Sequence, residues 1–103
     1  MTVRRAVKTD LDKLLLLYQH LHTDDVQAAD KVLVKVWNEI LEDPSLAYFV
    51  IEMDGLIVTS CNLALIPNLT RAGRPIGLIE NVVTHTDYRN LGLGKKVMQS
   101  AID

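Results

Sequence analysis

The segment Arg89-Asn90-Leu91-Gly92-Leu93-Gly94-Lys95 has the residue types and the spacing of a turn that binds phosphate. It follows an apolar, strand-like run (78–84) and opens a helix-like run (93–103). Two glycines leave the backbone uncovered where strand gives way to helix, so several N–H groups and the positive end of the helix dipole can face one anion. Arg89 and Lys95 add positive charge at the same place. An ordinary glycine-rich turn with solvated lysines is the alternative interpretation.

Two common phosphate-binding motifs do not fit this segment. The Walker motif has a glycine five residues before its Gly-Lys pair and a serine or threonine after it, whereas Arg89 and Lys96 occupy those positions here. The dinucleotide fingerprint would place its third glycine at Val97. The sequence therefore excludes both motifs.

The pattern Arg-x-x-Gly-x-Gly between a strand and a helix resembles the acyl-CoA pyrophosphate loop of the GNAT superfamily of N-acetyltransferases. The preceding residues, 79–89, resemble strand 4 of that family, and the spacing from Glu80 to Arg89 is similar to that of the glucosamine-phosphate acetyltransferase branch. This specific resemblance covers Ile79 to about Met98. The order of the predicted elements extends a weaker resemblance back to residue 2.

The resemblance implies that the chain binds acetyl-CoA as its acyl donor. The pantetheine arm would then lie along the strand, with the backbone N–H of Val83 polarising the acetyl carbonyl. Asp24 and Asp25, in the region between the first two helices, become candidates for binding the acceptor, although solvated helix caps are the alternative. The residues implied for cofactor binding are Val82, Val83, Thr84, Arg89, Asn90, Leu91, Gly92, Leu93, Gly94 and Lys95.

Acetyl transfer to an amine also requires a base for the ammonium proton and an acid for the leaving thiolate. Glu80 is the candidate catalytic base, because we expect a partly desolvated carboxylate near the acceptor. It could instead position the acceptor, or simply face solvent. His85 is a second candidate base, with a surface histidine as the alternative. The family's tyrosine acid would lie beyond residue 103, and no tyrosine of this sequence occupies its motif position.

Composition limits the remaining possibilities. A chain of 103 residues that is 49% hydrophobic and 23% charged is expected to form one globular domain. The net charge of -2 argues against a nucleic-acid partner. The single cysteine, Cys61, excludes an intramolecular disulfide and a cysteine-rich metal site, and we predict no metal. The sequence contains no apolar run of ~20 residues and no signal peptide, so we expect a cytoplasmic protein without a membrane partner.

Hydrophobic periodicity and turn signals predict the order β-α-α-β-β-β-α. Thr9 and Asp12 resemble a capping box ahead of the first helix, and Ala29, Val32, Val36, Trp37 and Ile40 form the apolar stripe expected for the second. The predicted elements are strand 2–7, helices from 11 and over 26–42, strands 46–53, 56–66 and 76–85, and helix 93–103. This is an α+β domain over 1–103, with a mostly antiparallel sheet and helices packed on it. The GNAT fold would continue with further strands and a helix.

Two functions remain open. The first is an acetyl-CoA-dependent N-acetyltransferase in which a primary amine, on a small molecule or a peptide, attacks directly in a ternary complex. The alternative is a non-catalytic CoA-binding or interaction module that associates through an open sheet edge. Both predict a homo-oligomer, because an unpaired edge strand invites association.

Overall fold

The protein is described by a computed structural model over residues 2–19 and 30–102. The strands and helices, in chain order, are β1 (Val3–Arg5), α1 (Leu11–Tyr18), α2 (Asp30–Glu42), β2 (Leu46–Met53), β3 (Leu56–Ile66), α3 (Thr70–Gly73), β4 (Ile76–Thr84) and α4 (Leu93–Ile102). The four strands form one antiparallel sheet in the order β1-β2-β3-β4. The predicted α+β class is confirmed, and α3 is a single short turn in the loop that the sequence predicted before β4.

The helices pack on opposite faces of the sheet, because each strand alternates its side chains between two apolar cores. On the α1/α2 side, Leu14, Leu17 and Trp37 pack against sheet residues that include Val50 and Val83. On the α4 side, the sheet residues Ile51, Val58 and Cys61 pack against helix residues Leu93, Val97 and Ala101. The two cores hold β4 between α1 on one face and the start of α4 on the other.

The predicted cap of α1 is wrong. Thr9 lies inside a 3-10 turn, Lys8–Asp10, so it does not cap the helix with Asp12. Asp10 closes this turn instead: its N–H donates to the Val7 carbonyl (3.0 Å), and its carboxylate accepts from the Val7 N–H (2.8 Å). The same carboxylate, almost fully buried, accepts two hydrogen bonds from the Arg4 guanidinium, at 2.7 and 3.0 Å. These bonds join β1 to the start of α1.

The predicted apolar stripe of α2 is only partly correct. Trp37 is buried, and its indole N–H donates to the carbonyl of Lys8 (3.1 Å). Ile40 packs against the same core, but Val32 and Val36 are 52% and 43% exposed. The helix is rotated so that Trp37 points at the sheet, which turns these two valines outward. Ala29 lies outside the described residues.

A β-bulge in β4 was not predicted from the sequence. Ser60 lies opposite Val83 and Asn62 lies opposite Glu80, so β4 contains one residue more than β3 over this stretch. Asn81 lies in the bulge and adopts a left-handed conformation, with a φ of 52°. Bulges of this kind bend a strand and redirect its side chains, and they are frequent beside active sites.

Candidate active site

A cleft of about 440 Å³ opens where β4 ends and α4 begins. One wall is the end of β4 and the other is the turn into α4. The residues that line it are Val82, Val83, Thr84, Tyr88, Arg89, Asn90, Gly92, Leu93 and Gly94. Eight of the ten residues implied for cofactor binding are among them, whereas Leu91 and Lys95 are not and both are exposed.

The glycines of the turn have two different roles. Gly92 has a φ of 76°, a left-handed conformation that glycine adopts without steric cost. Gly94 keeps the cleft open, because a Cβ atom there would lie 3.6 Å from Val82 Cγ1 and 3.7 Å from Thr84 Oγ1. These are ordinary contact distances, so the methyl group would fit the protein but would occupy space between helix and strand.

The start of α4 presents backbone donors to this cleft. The N–H of Lys96 donates to the carbonyl of Gly92 (3.1 Å), which is the first bond of the helical ladder. The preceding N–H groups of Leu93, Gly94 and Lys95 have no carbonyl within the helix to pair with, as at any helix start. Together with the helix dipole, they favour an anion at this end of the cleft.

The backbone N–H of Val83 does not face the cleft. Val83 lies opposite Ser60 in the antiparallel ladder, and the N–H of His85 donates to the carbonyl of Val58 (2.7 Å). Hydrogen-bonded pairs alternate with non-hydrogen-bonded pairs along such a ladder, so the N–H of Val83 is also directed at β3. This direction does not fit the role expected for it, as donor to an acetyl carbonyl.

The same alternation directs the backbone groups of Val82 and Thr84 away from β3. β4 is the last strand of the sheet within the described residues, so these groups lie on its open edge. There the Nε of Arg89 donates to the carbonyl oxygen of Thr84 (3.2 Å). The cation of the predicted motif is thus fixed beside the strand edge.

Tyr88 is a cleft residue that sequence reasoning did not assign to the site. It adjoins Arg89, so the motif itself was the available signal. Its hydroxyl donates to Asp54 Oδ2 (2.8 Å), which ties the turn before α4 to the β2–β3 hairpin. The carboxylate of Asp54 raises the pKa of Tyr88. His85 packs edge-to-face on Tyr88 at 5.4 Å between ring centroids, and it lines a separate pocket with residues of α1.

Glu80 lies outside the cleft, at a second pocket of about 200 Å³ on the α1/α2 side, which we call the hollow. The bulge at Asn81 separates Glu80 from Val82 and the cleft. Glu80 is exposed, so the partial desolvation expected for it is not found. The hollow is lined by Ile40, Leu46, Tyr48, Asn62, Leu63, Ala64, Leu78 and Glu80.

Two tyrosines on this side are affected by burial. Burial raises the pKa of Tyr48, and the neighbouring Asn62 amide partly offsets the shift. Burial also raises the pKa of Tyr18, and the neighbouring Ser60 hydroxyl partly offsets the shift. The acceptor candidates Asp24 and Asp25 lie outside the described residues.

Comparison with known families identifies the family to which this fold belongs. The acetyltransferase (GNAT) family profile matches residues 11–103, which is most of the chain. The chain belongs to the GNAT acetyltransferase family. The match includes β2, β3 and β4 of this GNAT domain but not β1, and it includes the complete turn into α4.

Individual relatives support the assignment. The solved structure of a candidate acetyltransferase from Agrobacterium tumefaciens is 39% identical and superposes with a TM-score of 0.91 over 99% of this chain and 71% of that one. An acetyltransferase structure from Trypanosoma brucei is 29% identical, with a TM-score of 0.81 over 98% of this chain and 71% of that one. A glucosamine 6-phosphate N-acetyltransferase of Trypanosoma brucei brucei is 48% identical over 44 residues, which are 43% of this chain and 30% of that protein.

Members of this family use acetyl-CoA, and the cleft of the GNAT chain suits such a molecule. Unpaired helix N–H groups match the needs of a pyrophosphate, and an open strand edge matches the amides of a pantetheine arm. Gly94 leaves a space that any side chain would fill. Within the described ranges, no three histidine, cysteine or acidic side chains come together as metal ligands, and no helix is long and apolar enough to cross a membrane.

Proposed function

We propose that this GNAT chain holds acetyl-CoA in the cleft and transfers its acetyl group to a primary amine by direct attack in a ternary complex. The observation that carries the proposal is the meeting of the open edge of β4 with the first turn of α4 around Gly94. Donors for phosphate and for amide groups lie there side by side.

Each part of the cleft would bind a different part of acetyl-CoA. The N–H groups at the start of α4 bind the pyrophosphate, with the charge of Arg89 nearby. The outward carbonyl of Val82 and the outward N–H of Thr84 pair with the amides of the pantetheine arm, as an added strand would. When bound, acetyl-CoA supplies the acyl group in activated form, as a thioester.

The donor to the acetyl carbonyl belongs to the same edge. Because the N–H of Val83 is directed at β3, we assign this role to the outward N–H of Val82. A fixed backbone donor at that place stabilises negative charge as it develops on the carbonyl oxygen.

Glu80 stands across the bulge from this donor, at the rim of the hollow. We propose that its carboxylate takes the proton of the attacking amine, directly or through water. An exposed carboxylate also attracts the cationic amine before the proton leaves. The acid for the thiolate is not assigned to any residue of this chain, and homo-oligomer formation through β4 stays a prediction.

Calorimetric titration of acetyl-CoA tests the proposal. The protein should bind acetyl-CoA, and Gly94→Ala should weaken binding by about tenfold or more, because the added methyl group lies in the cleft. Gly77→Ala is the matched control: its methyl group would also meet only an ordinary contact, Leu63 Cδ1 at 3.5 Å, but outside the cleft. It should bind as the parent does.

The outcomes separate the two candidate functions. If Gly94→Ala and Gly77→Ala lose acetyl-CoA affinity equally, or if the parent protein does not bind acetyl-CoA, the cleft is not the acetyl-CoA site. Binding that depends on Gly94, followed by release of CoA when amines are added, supports the transferase. Binding without transfer to any amine would favour the non-catalytic module.

A further inference from the structure

The hollow has a floor made of two parallel rows of side chains, because its residues face one another across three strands. Leu46, Ala64 and Leu78 lie directly opposite one another on β2, β3 and β4. The next row on the same face consists of Tyr48, Asn62 and Glu80. One row is apolar and the other ends in a carboxylate at the edge of the sheet.

The size and shape of the hollow depend on Ala64, the small residue in the apolar row. Ala64 stands between Leu46 and Leu78, so the row dips at its centre. Ile40 of α2 adds a further apolar lining residue. An apolar cavity of about 150 Å³ holds a benzene molecule, and the hollow measures about 200 Å³. It therefore has room for one aromatic ring or a short alkyl chain.

The charge of the hollow has a single sign. Glu80 is the one acidic residue among the described residues that line it, and none of them is a lysine or an arginine. A carboxylate forms strong, charge-assisted hydrogen bonds with an ammonium group. A phosphate group placed here would meet negative charge and apolar surface, and would lose its hydration without replacement.

We propose that the hollow binds the acceptor, and that it selects a primary ammonium group carried on an apolar stem, as in an arylalkylamine, over a phosphorylated amino sugar. The inference rests on the proposed function. The ammonium group pairs with Glu80 and the stem lies over Ala64. Since Glu80 and Val82 flank the bulge at Asn81, the amine enters beside the edge where the acetyl group is held.

The test compares phenethylamine with glucosamine 6-phosphate, each titrated into the protein and followed by NMR chemical-shift changes. Phenethylamine should bind about tenfold more tightly, because its ring loses contact with water while its charge is paired. Ala64→Leu fills the centre of the floor, and Glu80→Gln removes the charge. Each should weaken phenethylamine binding by about tenfold.

Glu39→Gln is the matched control for charge, since Glu39 is an exposed carboxylate of α2 that does not line the hollow. It should bind phenethylamine as the parent does. Thermal unfolding of each variant confirms that it is folded. Tighter binding of glucosamine 6-phosphate, or unchanged phenethylamine binding in Ala64→Leu, overturns the inference.

The two proposals fail separately. If acetyl-CoA binds and the sugar phosphate is preferred, the acceptor class is wrong and the transferase stands. If acetyl-CoA does not bind, the transferase proposal falls, and with it the acceptor role, even if phenethylamine enters the hollow.

Discussion

The cleft and the hollow lie on either side of the bulge in β4, and they are built from different parts of the chain. The cleft is made mainly of backbone: two glycines, the first N–H groups of α4 and the edge of β4. The hollow is made of side chains that three strands bring face to face. Its shape depends on single residues such as Ala64, and its charge depends on Glu80.

This difference predicts how each region responds to substitution. A backbone site keeps its donors whichever side chains surround it, and it fails when a side chain enters it. When one residue of a side-chain site is replaced, the protein still folds, but the ligand that the site prefers changes. One fold can therefore hold a constant acyl donor in the cleft while the hollow accepts different amines.

The largest effect on stability is expected on the α1/α2 side, at Asp10. Its buried carboxylate accepts from Arg4 and from the Val7 N–H, so Asp10→Asn should lower the free energy of unfolding by about 2 kcal/mol. The matched control is Asp12→Asn, an exposed residue two positions on, which should change little. Denaturant unfolding measures both, and equal losses would contradict the role of this network.

The lowered pKa of Asp10 also predicts how the stability of the Asp10→Asn variant depends on pH. The Arg4 guanidinium, more than any other group, holds the pKa of Asp10 below its usual range. The carboxylate therefore contributes stability above its unfolded pKa of about 3.9, and this contribution is lost as the pH falls through the lower folded value. Asp10→Asn should unfold with a smaller dependence on pH in acid. An unchanged acid slope would contradict this origin of the shift.

The contrast between backbone and side-chain sites also explains what could be predicted from the sequence. The cleft residues all lie within residues 82–94, so the resemblance of this one segment to the GNAT acyl-CoA loop implied eight of its lining residues. The four strands were predicted as well, because alternating hydrophobicity and turn residues are local signals. Each of these features can be recognised within a few residues of the chain.

The hollow could not be predicted in this way. Tyr48, Asn62 and Glu80 come together only through strand register, and the bulge at Asn81 shifts that register by one residue. The bulge also decides which backbone N–H groups reach the open edge, so the expectation for Val83 did not fit. Glycine is the usual signal for a positive φ, and here an asparagine adopts it.

The two glycines of the cleft should respond to alanine with opposite signs. Gly92→Ala forces a methyl group onto a left-handed residue and should cost about 1 kcal/mol. Gly94→Ala adds a better helix former without a clash, so it should raise stability by up to about 1 kcal/mol while weakening acetyl-CoA binding. Thermal unfolding beside the titration measures both. A loss of stability in Gly94→Ala would mean that binding is lost through the fold instead.

The smallest effect concerns the three tyrosines, whose pKa values are raised for different reasons on the two sides of the sheet. Burial acts on Tyr18 and Tyr48, whereas the carboxylate of Asp54 acts first on Tyr88. Asp54→Asn should therefore lower the pKa of Tyr88 towards its ordinary value of about 10 and leave the other two unchanged, as measured by carbon-13 NMR of the tyrosine rings.

Asp87→Asn is the control for this titration, because Asp87 acts on Tyr88 only weakly and from a distance. It should lower the pKa of Tyr88 less than Asp54→Asn does. Because the pKa of Tyr88 is raised in the folded protein, its bond to Asp54 contributes stability at neutral pH and is lost as the pH rises through the raised value. Equal shifts in the two variants would show that the general negative charge of the region, and not the bond to Asp54, raises the pKa of Tyr88.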